Sequence, residues 1–173
     1  MSIVLLRKML LPFLIFLSGC TGIPDNIQPV RAFDINRYLG TWYEIARLDH
    51  SFERGLEKVT AEYSLRDDGG IKVVNRGFNP ESNNWKEVSG KAYFIADTDI
   101  GRLKVSFFGP FYGGYNIIEI DKDYSYSLIC GPNKDYLWIL ARKPEMEESI
   151  RADLVKKAKA LGFDTDELIF VKQ

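Results

Sequence analysis

The sequence is poor in the residues on which most catalytic and metal sites depend. Its 173 residues include one histidine, His50, and two cysteines, Cys20 and Cys130. This is too few for a cluster of cysteine and histidine ligands around a metal. A catalytic triad would have to be built on His50, and neither Ser51 nor Cys130 lies in a sharp strand-to-helix turn. We therefore expect a protein without catalytic residues, metal or cofactor, and we interpret His50 as a surface side chain.

The chain also lacks an excess of either charge. It carries 23 Lys and Arg against 24 Asp and Glu, for a net charge of −1. Proteins that bind nucleic acids concentrate basic residues, so no nucleic-acid partner is expected. A length of 173 residues with 46% hydrophobic content is sufficient for one domain with a buried core.

The longest apolar run is too short to cross a membrane. Residues 9–17 follow Arg7 and Lys8 and are apolar throughout, whereas a spanning helix needs roughly 20 such residues. The pattern predicts a signal peptide over residues 1–19. It ends Leu17-Ser18-Gly19-Cys20, which resembles the lipobox of bacterial lipoproteins. The alternative is an ordinary secretory leader with an incidental cysteine.

The lipobox resemblance implies a specific membrane anchor. Cleavage before Cys20 would leave a cysteine with a diacylglycerol on its thiol and a palmitoyl chain on its amine, and these chains would hold the protein on the outer membrane. Thr21, rather than an aspartate, favours the outer membrane in this comparison, with the protein on the periplasmic face. Residues 20–35 contain two prolines and no periodic apolar pattern, so we predict a lipidated N-terminus followed by a linker that merges into an arm packed on the folded domain.

Eight strand-like segments then follow one another without a helix between them. The connections after the second, fourth and sixth are tight, and the others are longer. Alternate connections of an up-and-down barrel lie at one end, so one end would be closed and the other open. We predict an all-β fold, an eight-stranded antiparallel up-and-down β-barrel; a β-sandwich accommodates the division without predicting it. The segments are 42–48, 59–65, 71–78, 87–94, 102–108, 115–120, 126–130 and 136–142.

One helix and one more strand complete the chain. Residues 147–161 place apolar side chains at helical spacing, and Gly162 fits a helix end. We predict a C-terminal α-helix packed outside the barrel and a short ninth strand at 168–171. The lysines of the helix are interpreted as a face exposed to solvent, with a role at a membrane surface as the alternative.

Several motifs resemble the lipocalin family. They are Gly40-Thr41-Trp42-Tyr43 at the first strand and an arginine, Arg142, at the end of the eighth. The segments 109–116 and 136–142 resemble a subgroup, the bacterial lipocalins, which are outer-membrane lipoproteins related to apolipoprotein D. The resemblance implies a lipocalin domain over residues 36–173. One departure is Ile120, which stands where the family has a threonine before the turn at the closed end.

The predicted topology brings distant residues together. The first strand rises from the closed end and the eighth returns to it, so Trp42 and Arg142 should meet at the barrel floor as a structural pair. The inward side chains should line a cavity for a ligand, with a packed core as the alternative. The orientation of the sixth strand is left open. The predicted cavity residues are Ala61, Tyr63, Val73, Asn75, Val88, Ala92, Val105, Phe107, Tyr115, Ile117, Leu128, Trp138 and Leu140.

These residues predict a lipid-binding protein. We expect a single-chain lipid, a fatty acid or lysophospholipid, to be stored or transported in the cavity for maintenance of the envelope. An enzyme that acts on a lipid is the first alternative, but only Glu44 and Glu119 are candidate charged residues inside the barrel, and neither has an evident partner. A structural envelope lipoprotein without a ligand is the second. A homodimer is left open.

Overall fold

The computed structural model describes residues 21–95 and 97–173. The predicted signal peptide, residues 1–19, and the predicted lipid-attachment site at Cys20 lie outside the described residues. No helix in the described part of the chain is long and apolar enough to span a bilayer.

The described residues form nine strands and two α-helices, in the order that the sequence predicts, with one addition. A four-residue helix, α1, occupies an approach to the first strand that looks irregular in the sequence; the Asp34 carboxylate accepts a hydrogen bond from the Asn36 N–H and caps it. A 3₁₀ turn, Thr165–Glu167, precedes the last strand. The elements are α1 (Ile35–Tyr38), β1 (Gly40–Arg47), β2 (Glu57–Leu65), β3 (Ile71–Asn79), β4 (Asn84–Phe94), β5 (Arg102–Ser106), β6 (Gly113–Ile120), β7 (Tyr126–Cys130), β8 (Leu137–Ala141), α2 (Glu148–Ala160) and β9 (Ile169–Phe170).

The sheet closes on itself as an antiparallel barrel of eight strands, which confirms the predicted fold. Each strand pairs with the next, and β8 pairs with β1. The β1–β2 ladder covers only Gly40–Tyr43, at the closed end. Above it the two strands separate, and the chain after α2 fills the gap: β9 pairs with Ala46 and Arg47, and the Lys58 N–H donates to the Lys172 carbonyl at 2.6 Å.

Two hydrophobic cores lie on opposite sides of the wall. One fills the closed half of the barrel interior and includes Trp42, Tyr63 and Ile117. The other lies outside, where α2 presses Leu154 and Ala158 against the wall. The helix ends before Gly162, whose φ of 84° suits glycine. The single amphipathic helix predicted outside the barrel is thereby confirmed.

Two β-bulges determine which side chains point inward. In β1 the register shifts between Glu44 and Ala46, so that Glu44 and then Arg47 face the interior. In β6 it shifts between Ile117 and Glu119, so that Ile118 and Glu119 both face outward. A change of register by one residue turns every later side chain to the other face, which is why the sequence left the orientation of β6 open.

One predicted cavity residue faces the wrong way. Leu128 lies in the outer core and is directly paired with Ile139, another outer residue. Ile129, one position later, takes the inward place. Both faces of β7 are buried, one in the inner core and one in the outer core beneath α2. The strand is therefore apolar on both faces, and its sequence has no alternation that would identify the inward face.

Candidate functional site

The barrel floor is built around Trp42. Its indole is fully buried, and its Nε1–H donates to the Tyr38 carbonyl at 2.8 Å. The Arg142 guanidinium lies over the indole, 4.0 Å from the ring centroid, and donates to the carbonyls of Thr41 at 2.9 Å and Arg37 at 2.7 Å. The two residues predicted to meet at the closed end are in contact there, and the arginine also joins α1 to β1.

Three tyrosines meet directly above the floor. The Tyr115 hydroxyl lies 2.7 Å from that of Tyr38 and 2.8 Å from that of Tyr63. Burial raises the pKa of Tyr38 to about 12, and burial also raises the pKa of Tyr63 and of Tyr115 well above its ordinary value. The phenols therefore stay neutral at physiological pH and form a polar layer within an apolar interior.

The interior changes from packed to accessible along the barrel axis. On β2 Tyr63 is buried and Ala61, nearer the open end, is half-buried; on β4 Ala92 and Val88 show the same order. The other strands that carry predicted cavity residues follow this pattern where both classes occur. Solvent thus reaches the inner wall from the open end and stops above the floor. The buried predicted residues are Tyr63, Val73, Ala92, Ile117 and Leu140, and the half-buried ones are Ala61, Asn75, Val88, Val105, Phe107, Tyr115 and Trp138.

One small residue of the inner wall does not enlarge the cavity. Gly90 sits between Val88 and Ala92, where the absence of a side chain should leave space. The Phe107 ring occupies that space: a Cβ on Gly90 would lie 2.6 Å from a ring carbon of Phe107. The space left by the missing side chain of Gly90 is therefore filled by Phe107, which is itself a residue of the inner wall.

A buried ion pair faces the interior from β1. Arg47 and Glu44 are 1% and 3% exposed, and the Arg47 Nη1 donates to the Glu44 carboxylate at 2.6 Å. The Arg47 Nη2 donates to the Glu53 carbonyl at 2.8 Å. This bond holds the β1–β2 connection against β1 at one side of the open end. An expectation is corrected here, because Glu44 has a partner and that partner is the neighbouring residue brought inward by the bulge.

The β1–β2 connection adds a second carboxylate to this side of the open end. The Glu53 carboxylate accepts a hydrogen bond from the Trp138 indole at 3.2 Å and lies 3.0 Å from the His50 Nε2. Burial raises the pKa of Glu44 well above its ordinary value, and the charge of Glu53 raises it further against the lowering effect of Arg47. The Glu44 carboxylate thus lies between a guanidinium and a second carboxylate in a poorly hydrated place.

Two more sequence interpretations are corrected. His50 is 6% exposed, stacked on Phe52 with ring centroids 3.9 Å apart, rather than a surface side chain. Glu119 lies on the outer face of the bulge in β6 and forms an ion pair with Lys157 of α2, so it is not a candidate for chemistry inside the barrel.

Comparison with known proteins agrees with this geometry. The family model described as "Lipocalin-like domain" matches residues 33–173. The chain is a lipocalin. It is 54% identical over 160 residues to the outer membrane lipoprotein Blc of Vibrio cholerae, an alignment that covers 92% of this chain and 94% of that protein. It is 52% identical over 161 residues to Blc of Escherichia coli K12, covering 93% and 91%.

More distant relatives share the fold. Apolipoprotein D of Rattus norvegicus is 36% identical over 120 residues, covering 65% of this chain and 62% of that protein. Insecticyanin from the tobacco hornworm Manduca sexta superposes with a TM-score of 0.70 at 20% identity, covering 88% of this chain and 87% of that one. The lipocalin is thus most similar, among these, to the bacterial lipoproteins that its sequence motifs resemble.

The cysteine inside the described part of this lipocalin is not placed for chemistry. Cys130 is fully buried in the outer core, and burial raises the pKa of its thiol to about 12. A thiol reacts as the thiolate, so Cys130 is an apolar packing residue at physiological pH.

Proposed function

We propose that this lipocalin is an outer-membrane lipoprotein, anchored through an acylated Cys20 on the periplasmic face, that holds a single-chain lipid in its barrel. The observation that carries the ligand proposal is the gradient of burial along the inner wall. A closed floor and an accessible, mostly apolar upper wall form a cup. The similarity to proteins named outer membrane lipoproteins supports the anchor and the location.

The lining favours a lipid bound with its chain inward. Apolar surface removed from water stabilises a complex by roughly 25 cal/mol per Å², whereas an unpaired buried phosphate or carboxylate costs several kcal/mol. Arg47 and Glu44 are hydrogen-bonded to each other, so we do not assign the headgroup to their level. We place the headgroup at the open end, partly in water, and infer a fatty acid or lysophospholipid rather than a lipid with two chains.

The proposal assigns no catalysis to the barrel. Glu44 is the carboxylate with the most perturbed surroundings, but its partner Arg47 is held in turn by carbonyls of the β1–β2 connection. A general base must reach a proton of the substrate. The Glu44 carboxylate is instead hydrogen-bonded to Arg47, and the β1–β2 connection covers the pair. We infer that the cluster shapes one corner of the cup.

Lumen-filling substitutions test the ligand site. Ala61→Trp and Val88→Trp place an indole on the accessible inner wall. Ser89→Trp is the matched control, because Ser89 is exposed on the outer face beside Val88. Ala92→Trp suits this purpose less well, since Ala92 lies 4% exposed in the packed half, where added volume would act on stability.

The measurement is a titration of a fluorescent fatty acid into protein that begins at Thr21, followed by displacement with unlabelled fatty acid and lysophospholipid. We expect micromolar or tighter binding to the parent protein and to Ser89→Trp, and a loss of at least about tenfold, some 1.4 kcal/mol, in the two lumen variants. If the parent does not bind, or if all three variants bind alike, a packed or purely structural barrel is the better description. Mass spectrometry of organic extracts of the purified protein would identify what it carries.

A further inference from the structure

The described chain begins on the open side of the barrel. The Gly22 carbonyl accepts a hydrogen bond from the Asn116 side chain at 3.3 Å, and the same amide donates to the Gly131 carbonyl at 3.0 Å. A Cβ on Gly114 would lie 2.5 Å from the Gly22 carbonyl oxygen, so the arm is packed directly on the start of β6. Gly114 and Gly131 adjoin the β5–β6 and β7–β8 connections, which both lie at the open end.

From this point the arm runs toward the closed end and does not return. Val30 bonds to Ile117 and Gly101 in the lower wall, and the Phe33 N–H donates to the Asp99 carbonyl in the tight β4–β5 turn. The chain then enters α1 beneath the floor. The anchor and the floor are thus separated by the full length of the arm.

Chain geometry limits how far the anchor can lie from the open end. Cys20 precedes Gly22 by two residues, and an extended chain spans at most about 3.5 Å per residue. An acylated Cys20 therefore lies within roughly 7 Å of Gly22. A bilayer that holds the acyl chains is brought to the rim of the barrel rather than to its floor.

The open end also exposes aromatic side chains, and the described residues of the closed end expose none. Phe108 and Phe111 in the β5–β6 connection are 75% and 73% exposed, and Phe52 in the β1–β2 connection is 56% exposed. The large apolar side chains exposed near the described closed-end turns are aliphatic, Leu65 and Ile95. Phenylalanine is one of the side chains that membrane-surface segments bury at the boundary between headgroups and acyl chains.

We propose that the open end rests on the bilayer that holds the anchor, with Phe52, Phe108 and Phe111 in the membrane interface. The inference builds on the proposed anchoring and lipid binding, and it adds the surface and its partner: the headgroup layer of a phospholipid membrane. A tether of two residues gives the rim a high local concentration of bilayer, so modest apolar contacts are enough to hold it there. A lipid could then pass between bilayer and cup without crossing water.

The charges of the β1–β2 connection favour an apolar contact at this part of the rim. Asp49 and Arg54 of the β1–β2 connection pair with each other at 2.6 Å, beside Phe52, so this loop offers no uncompensated cation to anionic headgroups. Attraction between exposed charges is screened by salt, whereas apolar insertion is not. Docking is therefore expected to persist at high salt.

The test uses the full acylated lipoprotein in vesicles of phosphatidylethanolamine and phosphatidylglycerol. An environment-sensitive fluorophore is attached at Phe52→Cys or Phe111→Cys at the rim, and at Leu65→Cys, which is 57% exposed at the closed end, as the matched control. Lipids with a quencher on the acyl chain report insertion. We expect a blue shift and several-fold quenching at both rim positions and neither at residue 65, with no change at high salt.

The results of the quenching test can be told apart from those of the fatty-acid titration. A second variant, Phe108→Asp with Phe111→Asp, should abolish quenching at residue 52 while the protein stays anchored. Equal quenching at all three labels, or none at the rim, overturns the orientation even if the fatty-acid titration succeeds. Rim labels that are blue-shifted but unquenched, in a protein that crosslinks as a dimer, would mean that a second copy covers the rim, and would also overturn it.

Discussion

Arg142 lies over the indole of Trp42, with its guanidinium carbon 4.0 Å from the ring centroid. Trp42 lies in β1 and Arg142 directly follows β8, so the two come from opposite ends of the barrel sequence. The same guanidinium donates to the carbonyls of Thr41, Arg37 and Tyr124. One side chain thus fastens β1, α1 and the β6–β7 turn at the closed end.

Replacement of Arg142 should lower stability without changing the ligand. Arg142→Ala removes the contact with the indole, worth about 0.5–2 kcal/mol, and leaves carbonyl groups short of a donor. We expect a loss of about 2–4 kcal/mol in chemical denaturation, with fatty-acid affinity unchanged. Arg142→Lys keeps the charge but cannot reach all three carbonyls. Its stability should therefore lie between those of the parent and of Arg142→Ala. A melting transition unaltered in Arg142→Ala would contradict the role assigned to it.

The tyrosine layer should make the protein sensitive to alkali. The pKa of Tyr38 is about 12 in the folded protein against 10.0 for a free phenol, so the folded state binds this proton more tightly. The resulting stability is complete below pH 10 and is lost as pH rises toward 12. Two pKa units correspond to at most about 2–3 kcal/mol. Denaturation curves at pH 9 and pH 11 should differ less for Tyr38→Phe than for the parent; equal pH dependence in both would contradict the assignment.

The Glu44 carboxylate should respond to acid in the opposite sense to most acidic groups. Its raised pKa means that the folded state binds a proton more readily than the unfolded chain. The contribution to stability is complete below its ordinary pKa of 4.5 and is lost as pH rises through the folded value. Between pH 7 and pH 5 the parent should gain stability relative to Glu44→Gln, which accepts the same hydrogen bond from Arg47 without titrating. A parallel decline of both proteins with acid would exclude this.

Gly114 should be essential for seating the arm, and its neighbour should not. A Cβ at Gly114 would meet the Gly22 carbonyl oxygen at 2.5 Å, whereas one at Gly113 meets nothing within 4 Å. Gly114→Ala therefore has to displace backbone, and we expect faster amide exchange in residues 21–30 and a loss of about 1–3 kcal/mol. Gly113→Ala is the matched control and should behave as the parent. Identical exchange in the two variants would show that the arm is not held at this point.

Period-two alternation was sufficient to predict most of the inner wall, and it failed where the wall departs from regularity. All predicted cavity residues except Leu128 face inward, and those on β2 to β5 do so because the registers of these strands are unbroken from Thr60 onward. Arg47 was missed because an extra residue in β1 reverses the face, and no feature of the sequence marks the bulge. His50 was misassigned because the packing of a connection depends on tertiary contacts, here with Tyr136 and Trp138, that local pattern does not contain.

The insertion of the chain after α2 between β1 and β2 has a consequence for the speed of folding. The Gln173 side chain donates to the Glu44 carbonyl, 129 residues away, and to that of Val59, 114 residues away. Proteins dominated by such distant pairings fold slowly, because loop entropy is lost before the contacts that compensate for it form. Until residues 169–173 arrive, β1 and β2 keep unpaired edges above Tyr43. The barrel that is still forming is then open to association with other chains, and chaperones would have their greatest effect in this interval.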